Sequence, residues 1–274
     1  MQAWSWQNIK NSIIRYMAPS LAMSSLFQLL FFYAVYLGIQ TGLGWTWWVT
    51  SVMFSFFLYS MIGNNIGLHR YFTHGHFAIS KPVEWLLAWS GSMIGLGSPL
   101  SFAITHFVHH DPKYTDTPLD PHGPIHGWKS ILVWWQVPVD TKITPVANKR
   151  LAWLVKHYGW LHRWYGPFFL ANAALLYLID YHLFLFCWFI PAGLSCWGIS
   201  FSVLRQHRGL RSLNSQIANW DPIYEGLHHN HHLYPRAPNT AVTSGEIDWT
   251  YQFSRLFRPK YDWRGQPKDD QISN

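Results

Sequence analysis

Lysine and arginine are missing from two long stretches of this chain, residues 16–69 and 164–204, so all 20 lie in the three segments outside them. The first stretch also lacks Asp and Glu, and the second holds a single acid, Asp180. A helix that crosses the hydrocarbon of a bilayer needs about 20 apolar residues. The first stretch accommodates two spans, 19–39 and 45–65, joined by the turn Gln40-Thr41-Gly42-Leu43-Gly44. The second accommodates 165–179 and 183–204, turning at Asp180-Tyr181-His182. Two hairpins return the basic segments to one side, which the positive-inside rule makes cytoplasmic. The net charge of +7 therefore reads as topology and contact with anionic headgroups, not as a nucleic-acid surface.

Composition agrees. Only 12% of the residues are charged, 49% are apolar, and 18 are tryptophans, a residue that gathers at membrane interfaces. Cys187 and Cys196 lie nine apart in one apolar run, too distant along a helix to bridge. The N-terminus does not read as a cleavable signal. The stretch from Trp85 to Leu100 is apolar but short and contains three glycines. It fits a re-entrant or interfacial helix better than a span, because a span would part Arg70 from Lys113.

Most of the 16 histidines fall into clusters. They are His69-Arg-Tyr-Phe-Thr-His74, His106-Phe-Val-His109-His110 and His228-His229-Asn230-His231-His232. Residues at i, i+3 and i+4 share a helix face, which groups His106 with His109 and His110, and His228 with His231 and His232. Asp221-Pro222 fits the N-cap and first turn of the latter helix, and Pro235 its end. His69 and His74 are about 140° apart on an ideal helix, which suits two different metal ions. Eight imidazoles exceed what one metal uses, so two metals are the economical reading. Imidazole suits several transition metals, and the ligands alone do not choose among them. His122, His126, His157, His162 and His182 read as surface or interface residues, and His76 and His229 as off the ligand spacing.

With the order Gly67-Leu68-His69-Arg70-Tyr71-Phe72-Thr73-His74, then His106 to His110, then Glu225-Gly226-Leu227-His228 to His232, the chain resembles the membrane fatty acyl desaturases, including the stearoyl-CoA and cyanobacterial-type delta-9 acyl-lipid enzymes. The Asp116-Thr-Pro-Leu-Asp120-Pro121-His122 run resembles the stretch after that family's second box. The resemblance implies an all-α integral membrane protein forming a single domain over 1–274. Four transmembrane helices in two hairpins would carry a helical cytoplasmic cap with a histidine-box di-iron site, both termini and the active site being cytoplasmic. It implies two iron ions and a ninth ligand, His207. It divides the ligands into His69, His110, His207 and His231 on one iron, and His74, His106, His109, His228 and His232 on the other.

Two departures from the acyl-CoA members bear on substrate. Val203 stands where they carry an asparagine that reaches iron through water. Phe102-Ala103-Ile104-Thr105 precedes His106 where they carry Trp-Ala-Arg-Asp, of which the Arg-Asp pair helps hold the coenzyme A headgroup. The missing pair favours a lipid-linked or carrier-protein-linked acyl chain over acyl-CoA. The resemblance implies delta-9-like desaturation, of a membrane lipid in the first case, with oxygen and two electrons from a separate ferredoxin or small haem protein. Methylenes offer no polar handle, so an apolar tunnel must set the register. Met53, Phe57, Phe72, Phe102 and Phe107 are its candidate lining, with Phe57 limiting chain length. Asp111, Asp116, Asp221 and Glu225 are candidates for orienting imidazoles. The alternatives are a histidine-box hydroxylase or ketolase and, from another class, a membrane metal-binding or transport protein. Transporters place their ligands within the spans, whereas these clusters lie beyond the span ends.

Overall fold

The computed structural model of the chain describes residues 26–117, 120, 149–208, 211–222 and 224–259. Among them the structure is helical with four two-residue strands. Helix α1 is described over Leu26–Gln40. Thr41 and Gly42 then turn the chain, Gly42 at a φ of 66°, into α2, which runs unbroken over Trp45–His74. After β1 (Phe77–Ala78) come α3 (Lys81–Ser92) and α4 (Pro99–His109). Helices α5 (Lys149–Arg163), α6 (Tyr165–Ile179) and α7 (Tyr181–Arg205) follow. The hairpin β2 (His207–Arg208) and β3 (Arg211–Ser212), the short helices α8 (His228–Leu233) and α9 (Trp249–Ser254), and β4 (Arg258–Pro259), paired antiparallel to β1, complete it.

Two helices, α2 and α7, are long and apolar enough to cross a membrane, while α1 and α6 are shorter apolar helices over the described residues. Large apolar side chains face outward along α1, the first half of α2, and α6; Trp45 is 73% exposed and Leu178 79%. A soluble monomer rarely leaves so continuous an apolar surface bare. Together with the two candidate spans it marks a membrane protein. Inside, helices meet through small and hydroxylated residues, as membrane interfaces favour. Ser55 and Ser60 both reach the Ser195 hydroxyl of α7, at 2.9 and 3.0 Å, and Ser51 donates to the Phe186 carbonyl at 2.7 Å. Gln28 of α1 donates to Ser200 of α7 at 2.7 Å. A Cβ on Gly63 would lie 2.9 Å from the Gly91 nitrogen, so α2 and α3 touch backbone to backbone only because glycine stands there.

Three local expectations change. The apolar stretch from Trp85 to Leu100 is neither one helix nor a span: α3 ends at Ser92, positive φ angles at Gly95 and Gly97 turn the chain, and α4 starts at Pro99. Asp221 does not cap the third-box helix, which begins at His228 and ends at Leu233, two residues before Pro235. His162 is buried, its Nδ1 3.0 Å from the Ser98 hydroxyl that caps α4. His122 and His126 lie outside the described residues.

The end of α2 is anchored on several sides. The buried Glu84 carboxylate accepts from Tyr71 at 2.6 Å, Tyr158 at 2.5 Å and Lys81 at 2.8 Å, joining α2, α3 and α5. Gly75, at a φ of 67°, ends α2 directly after His74, and Arg150 donates to the Tyr71 carbonyl and, at 2.8 Å, to that of Phe72.

A buried histidine centre

The first box sits on a part of α2 wound differently from an α-helix. From Phe54 to His74 the hydrogen bonds follow the π register, in which residues five apart close one ring. His69 and His74 therefore share a face, their ring centroids 4.9 Å apart. The expectation from an ideal α-helix was that they point apart, toward two different ions. His106 and His109 occupy the last turn of α4, and His110 is its C-cap. His228, His231 and His232 fall on α8.

The ring nitrogens converge in two groups. His69, His74, His106, His110 and His231 form the first, and His109, His228 and His232 the second. In the first, Nε2 of His69 lies 2.9 Å from that of His106 and 3.0 Å from that of His231. His110 Nε2 is 2.9 Å from the same two atoms, and His74 Nε2 is 3.0 Å from that of His106. In the second, His232 Nε2 lies 2.8 Å from His109 Nε2 and 3.1 Å from His228 Nε2. His207, held at β2, places its ring 4.9 Å from that of His228. Its Nδ1 donates to the Val203 carbonyl at 2.7 Å, leaving Nε2 bare, and that atom is buried with no hydrogen-bond partner. The groups thus differ from the expected division: His74 and His106 join His69, and His207 lies beside the second group.

Neutral imidazoles cannot satisfy this convergence by hydrogen bonding, because each carries only one N–H. Adjacent ligands at right angles around a metal with bonds of about 2.1 Å sit about 3.0 Å apart, close to the separations seen here. Burial, then neighbouring imidazoles, holds His106, His109 and His231 well below the ordinary histidine pKa, and burial with His207 brings His232 down to about 4. Metal requires this neutral form. The donor set therefore fits metal.

Two carboxylates orient the rings. Glu225 accepts from His69 Nδ1, and the buried Asp120 faces His109 Nδ1 with both oxygens, at 2.8 and 3.0 Å. Burial alone would raise the Glu225 carboxyl, but Arg70 and His69 pull it down to about 2. Glu225 was legible in the sequence; Asp120 was missed, although it stands in the run that follows the second box. The other candidates serve elsewhere. Asp111 caps the Lys113 amide, Asp116 accepts from the Ser212 amide at 3.3 Å, and Asp221 pairs with Arg205 at 2.6 Å. Asn230, between the third-box histidines, donates to the Thr240 carbonyl and Glu246 at 3.0 and 2.9 Å, tying α8 to the following loop. His76 donates from Nε2 to the Pro235 carbonyl at 3.0 Å, and His229 is exposed beside Ser212.

A cavity of about 90 Å³ opens against the centre, with His69 and His106 of one group and His228 of the other in its wall. That is room for several water-sized groups. Phe102, Leu96, Ile199 and Val203 give it an apolar side, and Asn64, Asn65, Thr105 and Gln206 a polar one. Of the five tunnel candidates only Phe102 lines it, stacked on His106 at 5.8 Å. Phe72 is fully buried in the core around α3 and α5, and Phe107 packs against that core. Met53 and Phe57 face outward, 47% and 40% exposed.

Fold and site together define a membrane protein with a buried, histidine-built centre suited to metal. By sequence the chain is a homologue of fatty acyl desaturases, oxidoreductases of lipid metabolism. It is 28% identical over 227 residues to the sn-2 palmitoyl-lipid 9-desaturase of Nostoc sp. (strain 36), covering 76% of this chain and 77% of that one. It is 26% identical over 230 residues to the acyl-CoA C20 Delta5-desaturase of Anemone leveillei, covering 77% and 70%. To the delta-9 acyl-lipid desaturase 1 of Arabidopsis thaliana it is 23% identical over 236 residues, covering 77% and 72%. No family model matches the chain.

Proposed function

We propose that this chain is a fatty acyl desaturase that introduces a cis double bond into a saturated acyl chain carried by a membrane lipid, in the delta-9-like manner of two of the relatives above. The observation that carries the reading is a cavity bounded by histidines of both nitrogen groups. A methylene pair held there would lie beside residues of both groups that would hold metal. We assign His69, His74, His106, His110 and His231 to one iron, and His109, His228, His232 and His207 to the other. The expected ninth ligand is thus kept, and the division follows the geometry.

Bound iron would supply the redox chemistry: two hydrogens leave adjacent methylenes, and oxygen with two electrons and two protons becomes two waters. The chain's own residues do the rest. Glu225 and Asp120 hold the protons of His69 and His109 on Nδ1, so that Nε2 of each ring would present its lone pair to a metal. The Val203 carbonyl does the same for His207. Phe102, Leu96, Ile199 and Val203 exclude water from one wall and give an apolar chain its register. The absence of an Arg-Asp pair before His106 favours lipid-linked over coenzyme A-linked substrate.

The whole chain would form one domain, with four spans, both termini cytoplasmic, and the basic face meeting a separate ferredoxin or small haem protein that delivers electrons. Expression in a host without its own desaturation, followed by fatty-acid profiling with double-bond localisation, tests the function. New cis-monounsaturated acyl groups in glycerolipids are expected. Hydroxylated or keto products in their place would transfer the reading to the rival oxygenases.

A further inference from the structure

Arg70 follows His69 directly in sequence, and its guanidinium is buried in protein, with the side chain 1% exposed. A buried cation is tolerated only where its donors are met. Here Nε donates to Glu225 Oε1 at 2.5 Å, Nη1 to the Pro238 carbonyl at 2.5 Å, and Nη2 to Asp248 at 3.0 Å. Glu225 gives its other oxygen to His69 Nδ1. One carboxylate therefore bridges a permanent cation and a ring of the five-histidine group. Glu225 also holds a φ of 43°, a left-handed conformation that a non-glycine residue keeps only where its surroundings impose it. Asp248 is itself fixed, accepting from the Thr240 amide and hydroxyl and the Tyr251 amide at 2.7 to 2.8 Å.

We propose that Arg70 is a positioning residue for the centre: through Glu225 it sets the orientation and donor strength of His69. The inference rests on the metal reading of the histidine groups. A carboxylate free to rotate would offer the ring either oxygen in several poses. Locked by the guanidinium, Glu225 presents one oxygen along one direction, which holds the His69 ring with Nε2 toward its four neighbours. Sharing the carboxylate charge with Arg70 also tempers how strongly it polarises the imidazole. Lysine cannot reproduce this, because the three acceptors come from separate segments and match the planar fork of a guanidinium.

The test uses full-length protein in detergent with Fe2+ alone as probe, its affinity read by chelator competition. The visible spectrum of the Co2+-loaded protein reports the ligand field. Arg70→Lys and Glu225→Gln should each weaken one of the bound ions by about 10- to 100-fold and shift the Co2+ bands. The double variant should be no worse than the more severe single one, because both act through one carboxylate. Glu84→Gln, which loosens the anchoring of α2 away from His69, should lower the thermal midpoint and leave the bands in place. An Arg70→Lys protein that behaves like Glu84→Gln, or losses that add in the double variant, would overturn the proposal. If Arg70→Lys does not fold, an unchanged spectrum in Glu225→Gln overturns it instead. Wild-type protein that takes up no Fe2+ refutes the metal reading, and Arg70's role with it.

Discussion

Replacing Asp120 tests how much the centre depends on carboxylates that touch no metal. Its side chain is 1% exposed and holds His109 Nδ1 with both oxygens, at 2.8 and 3.0 Å. Asp120→Ala leaves that N–H without its acceptor inside a buried site and frees the ring to turn. Loss of such a partner costs about 10- to 100-fold in metal affinity, which is about 1.4 to 2.8 kcal/mol. Asp120→Asn keeps an acceptor oxygen and the shape while removing the charge, so its loss should lie near the lower figure. The assay is anaerobic titration of the metal-free protein with Fe2+ against a competing chelator. One ion should weaken, because His109 belongs to the three-histidine group and the five-histidine group keeps its own carboxylate. Equal weakening of both ions, or wild-type affinity in Asp120→Ala, would refute the assignment of this carboxylate to one group.

Further outcomes follow from the same geometry. Phe57→Ala should leave the acyl-chain profile unchanged by gas chromatography, since Phe57 faces outward beside Phe56 and Phe253 and not into the cavity. His231→Ala, which removes a nitrogen 3.0 Å from His69 Nε2 and 2.9 Å from His110 Nε2, should abolish product formation in the same assay; His157→Ala, on an exposed ring beside Trp153, should not. Single cysteines at Gly42 and Lys113 should react with impermeant reagent from opposite sides of a sealed vesicle, and labelling of both from one side would remove the hairpin topology.

The apolar helices and the boxes were legible because charge is costly in hydrocarbon and because ligand spacing repeats along a helix. The turns at Gly42 and Asp180 stand where the gaps in Lys and Arg put them, and Asp180 caps α7 through the His182 and Leu183 amides. Helical periodicity misled where the winding changes: at 3.6 residues per turn His69 and His74 diverge, whereas the π register of α2 brings them together. Asp120 and Arg70 were missed for another reason, since the partners that give them their roles are 11 and 155 residues away in sequence. Phe57 was placed by counting along an α-helix, and in the structure its side chain faces outward, 40% exposed.

The most direct measurement is a single turnover by purified protein in lipid nanodiscs, loaded with iron, supplied with reduced ferredoxin and oxygen, and holding a saturated acyl glycerolipid. The account predicts two irons per chain by elemental analysis and one cis double bond per acyl chain converted, located by mass spectrometry. A fully loaded protein that releases a hydroxylated acyl chain, or an active one that holds a single iron, would contradict it.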